Sequence, residues 1–376
     1  MERKMMLNKE KLRDNLWNII FFVLLFTLAI VILGLLVSVS GKKNEDKNLV
    51  GALFIGSVND NGWNETHYLG LKAACDETGC PLKLKEYVKE NYKDSKEAID
   101  ELVGKGCSII FLTSDGYGSE LYQIFDEYPQ IMFYTISPES DRDNVTTYYG
   151  RMYQMRYLSG IIAGKMTESN ILGYVAAMDN GQVDRGINAY LLGARSVNPN
   201  AVVRVKMVGA WYDREKEKKL AGELIEEGAD VLTYHSSTDD TVQVAEEKGV
   251  YSIGYNDLET AYSENNLATI VFHWDVLYRA IIRDFMRGEI GKNDSYWWGA
   301  TEGAVNIEKL SSLISGETLS QMGEARNMFD EGSDVFVGRI VRNDGKVMCR
   351  KDERMGDEAL LMDMNWFVEG VEVDAD

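Results

Sequence analysis

From residue 49 onward the chain alternates short apolar runs with amphipathic stretches of helical length. The apolar runs predict strands over 49–58, 82–88, 108–113, 131–136, 171–176, 202–208, 231–235, 251–255 and 267–272. The stretches between them predict helices over 64–78, 95–105, 118–128, 154–165, 184–197, 213–227, 241–248 and 274–287. Strands that alternate with helices of about 10–15 residues mean βαβ units and parallel sheets.

The pattern occurs twice. ELVGKGCSIIFLTSD (101–115) lies over ELIEEGADVLTYHSS (223–237), and YQIFDEYPQIMFYT (122–135) over VQVAEEKGVYSIGY (242–255). Gly51 pairs with Gly173, and Leu69-Gly70 with Leu192-Gly193. A repeat this long is no solenoid unit. It predicts an α/β fold of two Rossmann-like lobes with parallel sheets joined by a hinge. One lobe covers about 49–150, the other about 151–270, and each takes part of the C-terminal region.

Residues 19–40 are uncharged, a run that spans roughly 33 Å as a helix and is long enough to cross a bilayer. Five Lys/Arg against three acids precede it. The expectation is a cytoplasmic tail (1–18), a single transmembrane anchor (19–40) and a polar stalk (41–48), with the binding domain (49–376) extracytoplasmic. A cleaved signal peptide is the rival, with Ser38 and Ser40 as small residues before the cut.

Composition narrows the chemistry. With 40 Lys+Arg against 60 Asp+Glu the net charge is −20, which disfavours nucleic acid as a partner. Four scattered cysteines read as buried free thiols, and three histidines leave little for a metal site. GxGxxG, GxxxxGK[ST], G-x-S-x-G and HExxH are all absent, so neither an enzyme nor a cofactor reading has a motif behind it.

Ligands of open α/β sheets bind beyond the carboxyl ends of the strands, so the loops there supply the candidate site. The first lobe offers Asp60, Asn61 and Trp63, then Ser114, Asp115 and Tyr117. The second offers Asp179, Asp184 and Arg185, then Trp211 and Tyr212 ahead of a helix capped by Asp213, then His235, Asn256, Asp257 and Trp274. For Asp60 and Asn61 a turn and helix cap is an equal reading, for Asp115 and Tyr117 a helix N-cap with packing is one, and for His235 a structural role is one. Trp297 and Trp298 read as core. Indole faces with Asp and Asn edges suit a flat, nitrogen-rich, largely uncharged ligand.

The segments NDNGWNETHYLGLKAA, RGINAYLLGARSVNP, WYDREKEKKLAGELIEEGADVLTYHSS, QVAEEKGVYSIGYND and MNWFVEG carry a resemblance. Over roughly residues 48–371 the chain resembles the basic membrane protein (PnrA-like) family of ABC-transporter substrate-binding proteins. That implies the type I periplasmic-binding-protein fold, a purine base or nucleoside as ligand, and ABC permease subunits as partners. Asp60, Asn61 and Trp63 match the family's first ligand loop. Trp211, His235, Asn256, Asp257 and Trp274 match the second-lobe and hinge-side positions. HWDVLYR lacks the lysine of nucleoside-binding relatives, which favours a free base, and the anchor replaces a lipobox cysteine. A sensing module that reports ligand to a membrane partner is the alternative, and a hydrolase or transferase acting on nucleosides a more distant one.

Overall fold

The computed structural model describes residues 49–60, 62–118, 121–136, 142–257, 259–289 and 295–374, together with 25 and 27. The expected anchor over 19–40, Leu25 and Thr27 apart, and the candidate residue Asn61 lie outside the described residues. Among the described residues no helix is long and apolar enough to cross a membrane.

In chain order the elements are β1 (Leu49–Leu53), α1 (Trp63–Thr78), β2 (Leu82–Lys85), α2 (Tyr92–Gly104), β3 (Cys107–Leu112), α3 (Tyr122–Glu127), β4 (Met132–Thr135) and β5 (Val145–Gly150). There follow α4 (Met152–Met166), β6 (Ile171–Ala176), α5 (Gly181–Val197), β7 (Val202–Met207), α6 (Arg214–Glu226), β8 (Val231–His235), α7 (Asp240–Lys248), β9 (Tyr251–Tyr255), β10 (Asn266–Phe272) and α8 (Trp274–Arg287). The chain closes with β11 (Ser295–Trp298), β12 (Val305–Glu308), α9 (Gly316–Asp330), β13 (Ile340–Val341), β14 (Val347–Cys349), α10 (Asp357–Met362) and β15 (Val371–Val373).

Among the described residues β13 and β14 form a separate antiparallel pair, and the other strands form two large sheets, ordered β11-β5-β4-β3-β1-β2 and β12-β10-β9-β8-β6-β7-β15. Their cores have the same order, with β6–β10 standing where β1–β5 stand. Neighbours are parallel except β12, which runs antiparallel to β10. The repeat is also a packing repeat. A Cβ on Gly51 would meet Ile110 at 3.1 Å and Leu102 at 3.2 Å; one on Gly173 would meet the equivalent Leu232 and Leu224. Both glycines make room for a leucine of the helix after the second strand of the lobe (α2 or α6) and for a side chain of the neighbouring strand (β3 or β8).

The boundaries differ from expectation where apolar residues leave the sheet. The run 49–58 ends as a strand at Leu53, although Phe54 stays fully buried and its N–H still bonds Lys85 O. β5 (VTTYYG) escaped the sequence reading because its threonines and tyrosines break the apolar run, yet it pairs with β4 and β11. α9, α10 and the strands β11–β15 were likewise not predicted.

Three segments cross between the sheets: β5 into α4, β10 into α8, and β11 into β12. They are pressed together, since a Cβ on Gly150 would lie 2.5 Å from the Phe272 ring and 2.8 Å from Val305. Helices α4 and α5 pack equally tightly. A Cβ on Gly160 would strike the Tyr190 carbonyl, and one on Gly193 the Tyr157 carbonyl.

Candidate functional site

A cavity of about 650 Å³ lies where the carboxyl ends of both sets of strands meet. Its walls come from the loops after β1, β2, β3 and β4 on one side and after β6, β7, β8 and β9 on the other. The sides touch: the Gln182 amide bonds the Tyr149 hydroxyl of the first sheet, and a Cβ on Gly62 would sit 3.2 Å from Ser237 O.

The first-lobe wall is a held loop. Asp60 Oδ1 accepts from the Gly62 and Glu65 amides at 2.9 and 3.0 Å, while Oδ2 accepts from Asn64 N and Nδ2. The carboxylate therefore fixes the start of α1, the cap role weighed against ligand contact in the sequence. Trp63 opens α1 and lines the cavity half-buried, with its indole N–H donating to Thr113 O at 2.7 Å. Behind it stand His67, Trp274 and Phe272, edge-on at 4.4, 5.5 and 6.1 Å. Ser114 lines the cavity with its hydroxyl bonded to Glu90. Asp115 lies beside it, its carboxyl raised by burial and then by Glu90.

The second-lobe wall holds Trp211, 38% exposed, with its ring 5.9 Å from that of His235. His235 ends β8 and is buried. Its Nε2 lies 3.4 Å from the Tyr255 hydroxyl, and its Nδ1 has no partner among the described residues. Desolvation, then Arg156 and Arg185, hold its pKa well below the ordinary value, so the ring is neutral at neutral pH. Asn256 adopts φ 58° and accepts from Phe272 N at 3.1 Å, tying the end of β9 to β10. Asp257 Oδ1 accepts from the Glu259 and Thr260 amides, each at 3.0 Å. Asp213 caps α6 as expected, accepting from Lys216 N.

Among the described residues five candidates stand elsewhere: Asp179, Asp184, Trp274, Tyr117 and Arg185 do not line this cavity. Trp274 is 1% exposed, stacked between Phe272 and His67 at centroid distances of 4.4 and 3.9 Å, so it supports Trp63 and does not face the cavity. Tyr117 is fully buried, with its hydroxyl on Val88 O at 2.5 Å. Arg185 lines a neighbouring cavity instead of this one. The sequence reading missed Asn180, Gln182, Gln243 and Tyr255 on the wall. Asn180, the N-cap of α5, had a legible signal, because it lies in the loop between the predicted strand 171–176 and the predicted helix 184–197. Among the described residues no cluster of His, Cys, Asp and Glu could hold a metal.

Comparison with known proteins identifies the family. The family model for the ABC transporter substrate-binding protein PnrA-like family matches residues 47–346. A purine-binding protein of Brucella abortus (strain 2308) is 31% identical over 332 residues, 87% of this chain and 94% of that protein. A Haloferax volcanii protein named as an ABC transporter glucose-binding protein is 31% identical over 323 residues, 85% of this chain and 79% of that one. Among solved structures, a transcriptional activator of the comK gene from Bacillus halodurans superposes with a TM-score of 0.68 at 25% identity, covering 76% of this chain and 99% of that one. The chain belongs to the PnrA-like family of ABC transporter substrate-binding proteins.

Proposed function

We propose that this protein binds a purine base or nucleoside between its two sheets and presents it to an ABC permease, held at the outer membrane face by residues 19–40. The observation that carries the reading is the pair of tryptophans. Trp63 from the first lobe and Trp211 from the second line one cavity, beside His235 and Tyr255. An aromatic face supports a base by about 1–3 kcal/mol whatever its ring substituents. Neutral His235 and the amides of Asn180 and Gln243 supply donors and acceptors for ring edges. The purine-binding relative supports this ligand class, and the relative named for glucose supplies its rival.

Calorimetric titration of the full chain with adenine, hypoxanthine, adenosine, inosine and glucose tests the reading. A purine ligand whose affinity falls at least about tenfold in Trp211→Ala is expected. Binding of glucose with no purine bound would overturn it. Membrane attachment is tested by alkaline carbonate extraction. The intact chain should stay with the membrane, whereas a soluble product beginning near residue 41 would mean a cleaved signal.

Ligand sensing is a second reading, supported by the likeness to the Bacillus halodurans transcriptional activator. Loss of purine uptake on deletion of the gene favours transport; unchanged uptake with altered gene expression favours sensing.

A further inference from the structure

Beside the main cavity, and sharing Asp115, Ile136, Asn180 and Gln182 with it, lies a second cavity of about 200 Å³ on the hinge side. Two independent features give it one chemical character. The first is Arg185, 4% exposed, which lines it. Its guanidinium donates one hydrogen bond, to Leu360 O at 2.5 Å, and packs against the Tyr153 and Trp297 rings. Among the described residues it makes no ion pair. The second is the amino end of the 17-residue α5. There Asn180 takes the Val183 amide, while the amides of Gly181 and Gln182, which also line the cavity, carry no hydrogen bond among the described residues.

The charges around Arg185 do not neutralise it. Asp184 is next in sequence and 1% exposed, but among the described residues neither of its oxygens has a hydrogen-bond partner. Burial and then Asp179 push its pKa up to about 8, so it is mostly protonated at neutral pH. Asp115, facing from the first lobe, is likewise raised by burial and Glu90. A further cavity of about 10 Å³ runs from Arg185 to Arg156, which is fully buried, bonds only Thr233 Oγ1 and Tyr234 O, and also lacks an ion pair among the described residues. Two guanidinium groups thus sit out of water beside the ligand cavity without a carboxylate bonded to either. Buried charge left unpaired is unfavourable, and an anion arriving there relieves it. Helix amino ends favour the same sign.

We infer that the Arg185 cavity is a subsite for an anionic oxygen substituent of the ligand, so that the protein selects acidic ligands over their uncharged counterparts. The inference rests on the main cavity holding the rest of that ligand. An acidic oxopurine and a nucleoside monophosphate offer the same chemistry, and the test separates them.

Affinities of the full chain for urate and adenine, and for adenosine monophosphate and adenosine, are compared in wild type, Arg185→Gln and Arg185→Lys. The charged member of at least one pair should bind about 10–100-fold tighter, as a charge-assisted hydrogen bond implies. Arg185→Gln should erase that preference and leave the uncharged member within about twofold, while Arg185→Lys retains part of it. Preference within the first pair identifies an oxopurine, and within the second a phosphate. Uncharged members favoured throughout, or equal losses for both members in Arg185→Gln, would overturn the subsite. If no purine binds, the purine reading fails by itself. Inorganic phosphate then decides the subsite: a rise in wild-type melting temperature that is smaller in Arg185→Lys and absent in Arg185→Gln supports it, and no rise overturns it.

Discussion

The hydroxyl of Ser236 donates to the Glu217 carboxylate at 2.7 Å, and at the equivalent place in the other lobe the hydroxyl of Ser114 donates to Glu90. Each serine follows the third strand of its lobe, and each acid comes from the segment after the second strand. The duplicated fold therefore repeats a polar clasp beneath its ligand loops as well as its sheet. In the second lobe the clasp is buried: Glu217, 1% exposed, also accepts from Thr238 Oγ1 at 2.6 Å and from Thr241 N and Oγ1 at 3.0 and 2.9 Å.

All four of those groups donate to the carboxylate, so Glu217→Gln removes the charge and replaces one accepting oxygen by an NH₂, which forces its hydroxyl partners to turn and accept or leaves them unpaired. The expected cost is about 2 kcal/mol, the scale of buried polar groups left unpaired. Thr238 lines the cavity, so ligand affinity should fall as well. Urea unfolding and calorimetry of the same variant measure both, and an unchanged denaturation midpoint would contradict the clasp.

Trp63 and Trp274 should separate by experiment. Trp63→Ala removes a cavity face and is expected to weaken purine binding by about 5–100-fold. Trp63→Phe keeps a face but loses the bond to Thr113 O, for a loss of about 2–10-fold. Trp274→Phe trims a side chain buried under Trp63, so it should lower the melting temperature while affinity stays within about threefold. A Trp274→Phe variant that keeps its stability and loses binding would place Trp274 against the ligand after all.

That contrast marks how far the sequence could be read. The two-sheet architecture was legible because βαβ alternation and the paired glycines Gly51 and Gly173 are local signals whose contacts recur in each half. Trp274 and Trp63 carry the same local signal, a tryptophan opening a helix after a strand. Only the packing of α1 on α8 decides which one faces the cavity and which one lies beneath, and no spacing encodes that. Tyr117, for which cleft and packing are equal readings in the sequence, is decided the same way, its ring being drawn inward to Val88 O. Gln182 was missed because its partner Tyr149 lies on β5, a strand its own polar residues concealed.

The contact between α4 and α5 sets where Asn180 and Gln182 stand, and it depends on two glycines. Gly160→Ala and Gly193→Ala each put a methyl group against a backbone carbonyl of the opposite helix, which cannot swing away as a side chain would. Each is expected to destabilise the protein by about 1–3 kcal/mol or more through overpacking. Gly222→Ala, with nothing within 4 Å of the added Cβ, is the control, and its melting temperature should not fall. Equal effects from the three substitutions would mean that helix approach is not the cause.

The last prediction concerns pH. Asp184 has a native pKa of about 8, raised chiefly by burial, whereas an unfolded aspartate ionises near about 4. Between those values the native state holds a proton that the unfolded chain has released, so stability falls as pH rises, by up to about 1.4 kcal/mol per pH unit. Below about 4 both states are protonated and the group contributes no slope. Buried His67 and His235 act oppositely. Burial depresses both, so the unfolded chain takes up their protons first as pH drops below about 6.5, and their contribution is lost on acidification. Asp184→Asn isolates the first effect because it keeps the size of the side chain and removes only its ionisation. Its melting temperature should match wild type near pH 4 and exceed it by a margin that widens toward pH 8. A margin that stays constant across that range would mean that Asp184 is ionised in the native state.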